Sequence, residues 1–386
     1  MKPSGDSSRF DCIATTLPGL EAVLQREIEA LGAADAEPGH QAVRFSADRE
    51  LLYRANLELR TALRVLVPLA EFRAADAEAL YRGTREMPWE RYLTPQMTLA
   101  VRAAAGSATR DDPRFAALKV KDAIVDRLRA RYGRRPSVDV RDPDLQVNLF
   151  WSREAAVISL DSSGGSLHRR GYRAEQTAAP LSEVLAAGMV LLSGWDRRST
   201  FYNPMCGSGT IAIEAALIGC GVAPGLLRRQ PGFRRWLDYD SKLWQRLHTA
   251  AEQDARERTA SPAPVAAGDI DPSAVRIAVR NLERTGFADL VRVMRRDFLA
   301  DEPPKPHGET PVLLINPPYG KRLHEPQIDQ LYSAIGDRLK QCYAGWKAWI
   351  ISGNRPALKR IGLRAQTKAA LYNGPIECSF RSYAVY

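Results

Sequence analysis

Asn316-Pro317-Pro318-Tyr319 places an amide oxygen, two rigid prolines and a phenol ring at consecutive positions. The branched apolar run Val312-Leu313-Leu314-Ile315 precedes it, bounded by Pro311, and reads as a core strand of a parallel sheet. Two prolines force an extended turn at the carboxyl end of that strand, where open α/β sheets bind their ligands. There Asn316 can accept a hydrogen bond from an amino group, and Tyr319 offers a flat face on which a base can stack. That is equipment for holding the exocyclic amine of a nucleobase. The plain alternative is a proline-rich turn after a strand.

Three further strand tips decide between these readings. Asn203-Pro204-Met205-Cys206-Gly207-Ser208-Gly209-Thr210 joins a strand to a helix. Gly207 and Gly209 let the backbone turn tightly and approach a ligand, and the helix amino terminus then presents free N–H groups. No GK[ST] follows and the spacing is not GxGxxG, which disfavours a phosphate loop. The next strand ends at Gly268-Asp269-Ile270-Asp271-Pro272. Asp269, with Ile270 beside it, suits ribose hydroxyls, while Asp271 before Pro272 reads as a helix cap. A third strand ends at Arg296-Asp297-Phe298, a carboxylate and a ring that suit an adenine amine and face. Each acid alone is more often a turn residue. Four such tips in a consistent order point to a site.

The elements that position these tips follow a strand–helix alternation after Gly164-Gly165, the pattern of a doubly wound parallel sheet. Thr200 to Asn203, Val265 to Ile270, Val291 to Met294, Val312 to Ile315 and Ala348 to Ser352 are its expected parallel strands. A tail hairpin turning at Asn373-Gly374 closes the edge. An insertion at about 221–259, rich in arginine and tryptophan, separates Asp269 from the glycine loop; its arginines are expected to widen a nucleic-acid footprint, and Trp236 and Trp244 are expected packing residues. Before Gly164 the elements are mixed α+β, with strands expected at Phe10 to Thr15, Ala42 to Phe45, Ala62 to Pro68, Thr98 to Ala103, Leu145 to Trp151 and Glu154 to Leu160.

A formal charge of +10, mostly arginine, favours phosphate contact over an acidic partner. Arg169, Arg170, Tyr172 and Arg173 combine charge with an aromatic and suit RNA phosphate and base contact, the alternative being a solvated linker. Lys321 and Arg322, just past the tetrapeptide, are placed to reach a phosphate flanking a target base. No apolar stretch approaches the ~20 residues of a membrane span, and the first ten residues lack the apolar core of a signal peptide. Five scattered cysteines form no CxxC pair, so no zinc site is expected and a reducing cytoplasm fits.

The order NPMCGSGT, GDIDP, RDF and NPPYG resembles the class I S-adenosylmethionine-dependent methyltransferases that modify exocyclic amines. LHRRGYR at 167–173, AAPLSEVLAA at 178–187, LYNGPIEC at 371–378 and LKVKDAIVDRL at 118–128 narrow it. Together they are similar to the bacterial ribosomal RNA guanine-N2 methyltransferases that carry an amino-terminal THUMP domain, in their stand-alone form. The resemblance implies a Rossmann-like seven-stranded sheet over 166–386, a ferredoxin-like segment over 1–60 and an RNA-gripping THUMP domain over 61–165. It implies S-adenosylmethionine as cofactor, with Asn203, Cys206, Gly207, Ser208 and Gly209 near its methionine part. Asp269 and Ile270 would hold its ribose end, and Asp297 with Phe298 its adenine. Asn316, Pro317, Pro318 and Tyr319 would be catalytic, with Asn316 also near the cofactor. RNA is the implied partner, 23S ribosomal RNA or a large-subunit assembly intermediate. Asn203 departs from the aspartate usual in the family. A transfer RNA guanine, a DNA adenine N6, and a non-catalytic RNA-binding assembly factor are the competing readings. The amino-terminal half argues against the DNA reading, since it offers no DNA-reading helix-turn-helix.

Overall fold

The structure is a computed structural model that describes residues 9–104, 112–152, 154–173, 175, 181–259, 264–319 and 325–385. Its first half runs β1 (Phe10–Thr15), α1 (Glu21–Ala30), β2 (Glu37–Gly39), β3 (Ala42–Ala47), α2 (Arg49–Glu58), β4 (Arg64–Arg73), α3 (Ala77–Glu86), β5 (Thr98–Ala104), α4 (Pro113–Tyr132), β6 (Ser137–Val138), β7 (Leu145–Ser152) and β8 (Ala155–Asp161). The helix starts are set locally. Asp48 and Asp76 accept the backbone N–H of Leu51 and Ala79 from extended cap positions, and Asp112 with Pro113 opens α4.

These eight strands form one sheet in the order β2-β3-β1-β4-β8-β7-β5-β6. β4 joins its two halves, pairing β1 antiparallel on one side and β8 on the other. Two separate cores nonetheless lie against it. One gathers β1, β3 and α1–α2 around Leu24, Phe45 and Tyr53; the other gathers α3–α4 and β5–β8 around Leu80, Trp89, Ile124 and Leu149. Strand β4 runs to Arg73, past the expected end at Pro68. A register shift between Pro68 and Ala70 lets the ladder continue beyond the proline's missing donor.

The second half runs α5 (Glu183–Ser193), β9 (Phe201–Pro204), α6 (Thr210–Gly219), α7 (Ser241–Thr259), β10 (Val265–Asp269), α8 (Pro272–Glu283), β11 (Val291–Arg295), β12 (Val312–Ile315), α9 (Glu325–Cys342), β13 (Lys347–Ser352), α10 (Ala357–Arg360), β14 (Thr367–Asn373) and β15 (Ile376–Ala384). Its seven strands order as β11-β10-β9-β12-β13-β15-β14, parallel except for the last hairpin. The chain crosses from β9 to its two neighbours on opposite sides, which makes the end of β9 the topological switch point. The doubly wound expectation is met. The hairpin turn is shifted by one residue: Asn373 pairs with Ile376, so the two-residue loop is Gly374-Pro375, with Gly374 at a φ of 60°. Glycine first and proline second suit a type II′ turn, and Asn373 is left as a strand residue.

The insertion is a clamp between the halves. Phe233 stacks on Tyr53 of α2, ring centroids 4.1 Å apart, with Trp244 edge-on to Phe233 at 5.2 Å. Arg49 pairs Asp238, Arg246 pairs Glu50 and Arg235 pairs Asp142. Trp244 is buried and Trp236 packs beside it, as expected. The expected RNA footprint of the insertion is corrected at Arg228 and Arg235, whose guanidinium groups bond to backbone oxygens of other segments of this chain. Among the described residues no helix is long and apolar enough to cross a membrane.

Candidate active site

The tips of β11, β10, β9 and β12 lie side by side, because Pro204 is in register with Gly268 and Asp269 with Arg295. The β9–β12 ladder stops at Tyr202–Leu313. Beyond it, Asn203 bridges the two strands by donating Nδ2 to the Leu314 carbonyl at 2.8 Å. Asn203 is fully buried and its Oδ1 has no hydrogen-bond partner among the described residues. A buried amide oxygen left without a donor costs about 1–3 kcal/mol unless a ligand or water supplies one.

The glycine loop turns between these tips. Met205, Gly207 and Gly209 have φ of 58°, 55° and 81°. Gly209 caps α6, and a Cβ there would lie 2.9 Å from the Ala278 Cβ of α8. Gly209→Ala is therefore expected to displace the loop, lowering cofactor affinity by more than tenfold with the fold retained, as read by calorimetry with S-adenosylhomocysteine; positive φ and the close Ala278 Cβ both oppose the methyl. Unchanged affinity would contradict it. The loop is held from outside as well. Asp269 accepts the Gly207 N–H at 2.8 Å and the Asp271 N–H at 3.0 Å, and Asn281 of α8 donates to the Ser208 carbonyl at 3.0 Å. Asp269 thus shapes the loop, with carboxylate lone pairs remaining for hydroxyls. Cys206 is buried, and burial raises its thiol pKa, so it is a small packing group.

At the third tip the structure corrects one expectation. Phe298 is buried and packs against Tyr343 with centroids 5.4 Å apart, so its face is not offered to a ligand. Asp297 accepts the Leu299 N–H at 2.9 Å and turns the chain. The exposed apolar surface here is Ile270, 60% accessible at the tip of β10.

At the fourth tip, Asn316 has an Oδ1 that is buried and without a hydrogen-bond partner among the described residues. Pro317 is buried and Pro318 exposed. The Tyr319 hydroxyl accepts from Asn373 Nδ2 at 3.0 Å, and burial raises its pKa, so it stays a neutral phenol. Two orphaned buried acceptors, Asn203 and Asn316, sit on adjacent strands around a glycine loop.

The segment before α5 overturns a second expectation. Arg170 and Tyr172 are buried at 0% and 1% exposure, so neither can meet RNA. Arg170 Nε pairs Glu214 of α6 at 3.3 Å, the Tyr172 hydroxyl donates to the same carboxylate at 3.0 Å, and Arg170 also donates to the carbonyls of Leu167 and Arg60. Arg173 is mostly buried too, paired with Glu183 at 3.2 Å and donating to the Thr210 hydroxyl at 3.2 Å. Only Arg169 of the four is exposed. Lys321 and Arg322 lie outside the described residues. Glu214 was missed from sequence because an acid inside an apolar helix carries no local sign of its partner.

His168 sits beside these arginines. Burial, then the charges of Arg169, Arg170 and Arg173, push its pKa down to about 4. The unfolded ring takes up its proton near pH ~6.5. Above that pH the group is neutral in both states and adds nothing; as pH falls from there to about 4, the folded state loses stability against the unfolded one. His168→Gln is expected to flatten the acid limb of urea midpoint against pH, and parallel limbs would contradict this.

Residues 170–382 match the RMKL-like methyltransferase domain, 11–66 the RlmL ferredoxin-like domain, and 74–161 the THUMP domain. The chain belongs to the RlmL-like family of S-adenosylmethionine-dependent RNA methyltransferases. It is 40% identical to slr0064 of Synechocystis sp., over 99% of this chain and 100% of that one. It is 41% identical to ribosomal RNA large subunit methyltransferase K/L of Ectopseudomonas mendocina, over 96% of this chain and 52% of that protein. The chain thus spans about half the length of this K/L relative. The crystal structure of SMU.472 complexed with SAH superposes with a TM-score of 0.86 at 29% identity, covering 98% and 99% of the two chains. The family's fold and cofactor are those expected from the strand tips. S-adenosylmethionine fits the residues present: the glycine loop admits close approach, Asn203 Oδ1 lacks a donor, and Ile270 offers an apolar face.

Proposed function

We propose that the enzyme transfers a methyl group to the exocyclic N2 amine of a guanine in RNA, with 23S ribosomal RNA in the cytoplasm as its substrate. The observation that carries the reading is the buried Oδ1 of Asn316, which has no hydrogen-bond partner among the described residues and directly follows the apolar strand β12, three residues before Tyr319. A guanine amine is a weak nucleophile because its lone pair is delocalised into the ring. Accepting a hydrogen bond from that amine, Asn316 Oδ1 localises the pair, and Tyr319 stacks on the extruded base to fix its approach. Bound S-adenosylmethionine supplies an electrophilic methyl group on a sulfonium. In this reading Asp269 and Ile270 hold the nucleoside end of the cofactor, and Asp297 borders it. The name of the K/L relative supports ribosomal RNA, and the match of 74–161 to the THUMP domain supports an RNA partner. Exposed Arg169 is the member of its segment available to a phosphate.

Mass-mapping of modified nucleosides from a deletion strain and its complemented parent tests the assignment. Loss of one N2-methylguanosine from 23S ribosomal RNA is the expected result. Loss from transfer RNA instead would move the substrate. Loss of N6-methyladenine from DNA, with RNA unchanged, would overturn the reading.

A further inference from the structure

The Tyr319 ring is held by a segment the site described above does not use. Its hydroxyl receives Asn373 Nδ2 at 3.0 Å, from the last residue of β14. The Cys378 thiol of β15 lies 3.7 Å from the same oxygen and 3.6 Å from the Ile376 carbonyl, so its one proton serves one of them at a time. The ring rests over Gly353, just past β13, where a Cβ would fall 3.2 Å from Tyr319 Cδ2 and 2.8 Å from Ile376 Cγ2. Ile376 is 46% exposed. An aromatic ring and an exposed aliphatic side chain therefore converge where a glycine contributes no side chain, three residues along the chain from Asn316, whose buried Oδ1 has no partner among the described residues.

We propose that the tip of the β14–β15 hairpin is the outer wall of the target-base slot, with Asn373 positioning the Tyr319 ring through its hydroxyl and Ile376 supplying the apolar surface next to it. This rests on the reading that Tyr319 stacks on the target base. A ring tethered only at its Cβ turns about two side-chain bonds. Tethered at its far end as well, the ring keeps the direction of its long axis while contact with Gly353 limits rotation of its plane, and misorientation of a stacked reactant lowers rate more than ground-state affinity. The shifted hairpin turn is what makes this work. With Gly374-Pro375 as the loop, Asn373 stays in the ladder opposite Ile376, and both side chains are fixed by strand pairing.

The test uses the full chain, tritiated S-adenosylmethionine and total ribosomal RNA from a deletion strain, with label counted in any base. Asn373→Leu and Tyr319→Phe are each expected to lower the single-turnover rate about tenfold, and the double variant to fall no further than Tyr319→Phe alone. S-adenosylhomocysteine affinity stays within about twofold for all three, because neither group borders the glycine loop. Ile376→Trp, which fills the slot, is expected to lower the rate by a similar factor with the same unchanged affinity. An Asn373→Leu rate within twofold of wild type, or losses that multiply in the double variant, would overturn the positioning role. An unaffected Ile376→Trp would overturn the wall. Label found in adenine would sink the guanine reading and leave this assignment standing. If wild type labels no RNA, the crystal structure of Asn373→Leu with S-adenosylhomocysteine decides: a Tyr319 ring that leaves Gly353 supports the tether, and one that stays refutes it.

Discussion

Asn316→Ala is expected to slow methyl transfer by about 10²–10³-fold, the usual loss when one preorganised polar group facing a transition state is removed. Affinity for S-adenosylhomocysteine should stay within a few-fold. The argument starts from the strand. Val312–Ile315 is buried along its whole length, so the backbone that carries Asn316 is anchored by the sheet. Pro317 and Pro318 then restrict the chain on the far side. The Asn316 oxygen is consequently held at a fixed place without a protein donor, the arrangement of an acceptor waiting for a ligand. Alanine removes it without altering the strand. An interaction gained only as the amine becomes nucleophilic is lost from the chemical step and spared from cofactor binding. Single-turnover rates paired with calorimetry separate the two, and near wild-type turnover in the alanine variant would refute the assignment.

Arg170→Met is expected to destabilise the fold by about 3–5 kcal/mol, the range for breaking a buried ion pair from one side. Arg170 and Glu214 are both fully buried. With the guanidinium gone, Glu214 keeps the Tyr172 hydroxyl alone, and its second oxygen already lacks a partner. The carbonyls of Leu167 and Arg60 lose their donor as well. Arg170→Met combined with Glu214→Leu should lose less than the single change, because the Glu214 carboxylate is then no longer buried without Arg170. The partly buried Arg60 and Arg228 also lose Glu214, which keeps the double variant below wild type. Urea unfolding followed by tryptophan fluorescence measures both. A double variant as unstable as the single one would show that the cost is packing rather than charge. Because Glu214 lies one turn into the helix that Gly209 caps, this pair also ties the glycine loop to the Arg60 segment of the amino-terminal half.

Much of the site was legible because its signals are local. Two prolines after an apolar run, paired glycines after a strand, and an acid before a proline-capped helix each act through the backbone of their own segment. Gly207 and Gly209 take the positive φ that their type anticipates, and Asp271 caps α8 as its place before Pro272 implies. The readings that failed concern which way a side chain points. Phe298 and Tyr172 both lie among charged residues and read as ligand-facing aromatics, yet each closes a core formed by segments far away in the chain. Arginine runs were read as nucleic-acid contacts because charge normally prefers water. At Arg170 and Arg228 the hydrogen-bond acceptors come from α6 and from the end of α2.

The sequence by itself determined the doubly wound sheet, the order of its four strand tips and the class of chemistry they resemble, since periodicity, turn residues and strand-end acids are properties of short segments. Only the tertiary structure decided that the two amino-terminal cores share one sheet through β4, that the insertion clamps the halves together, and that the RRGYR segment is an interior ion-pair lock. It alone brought Asn373 to Tyr319, 54 residues apart in the chain. The physical reason is the same in each case. A buried charge or a tethered ring is stable only through partners supplied by other elements, and distance along the chain carries no record of them.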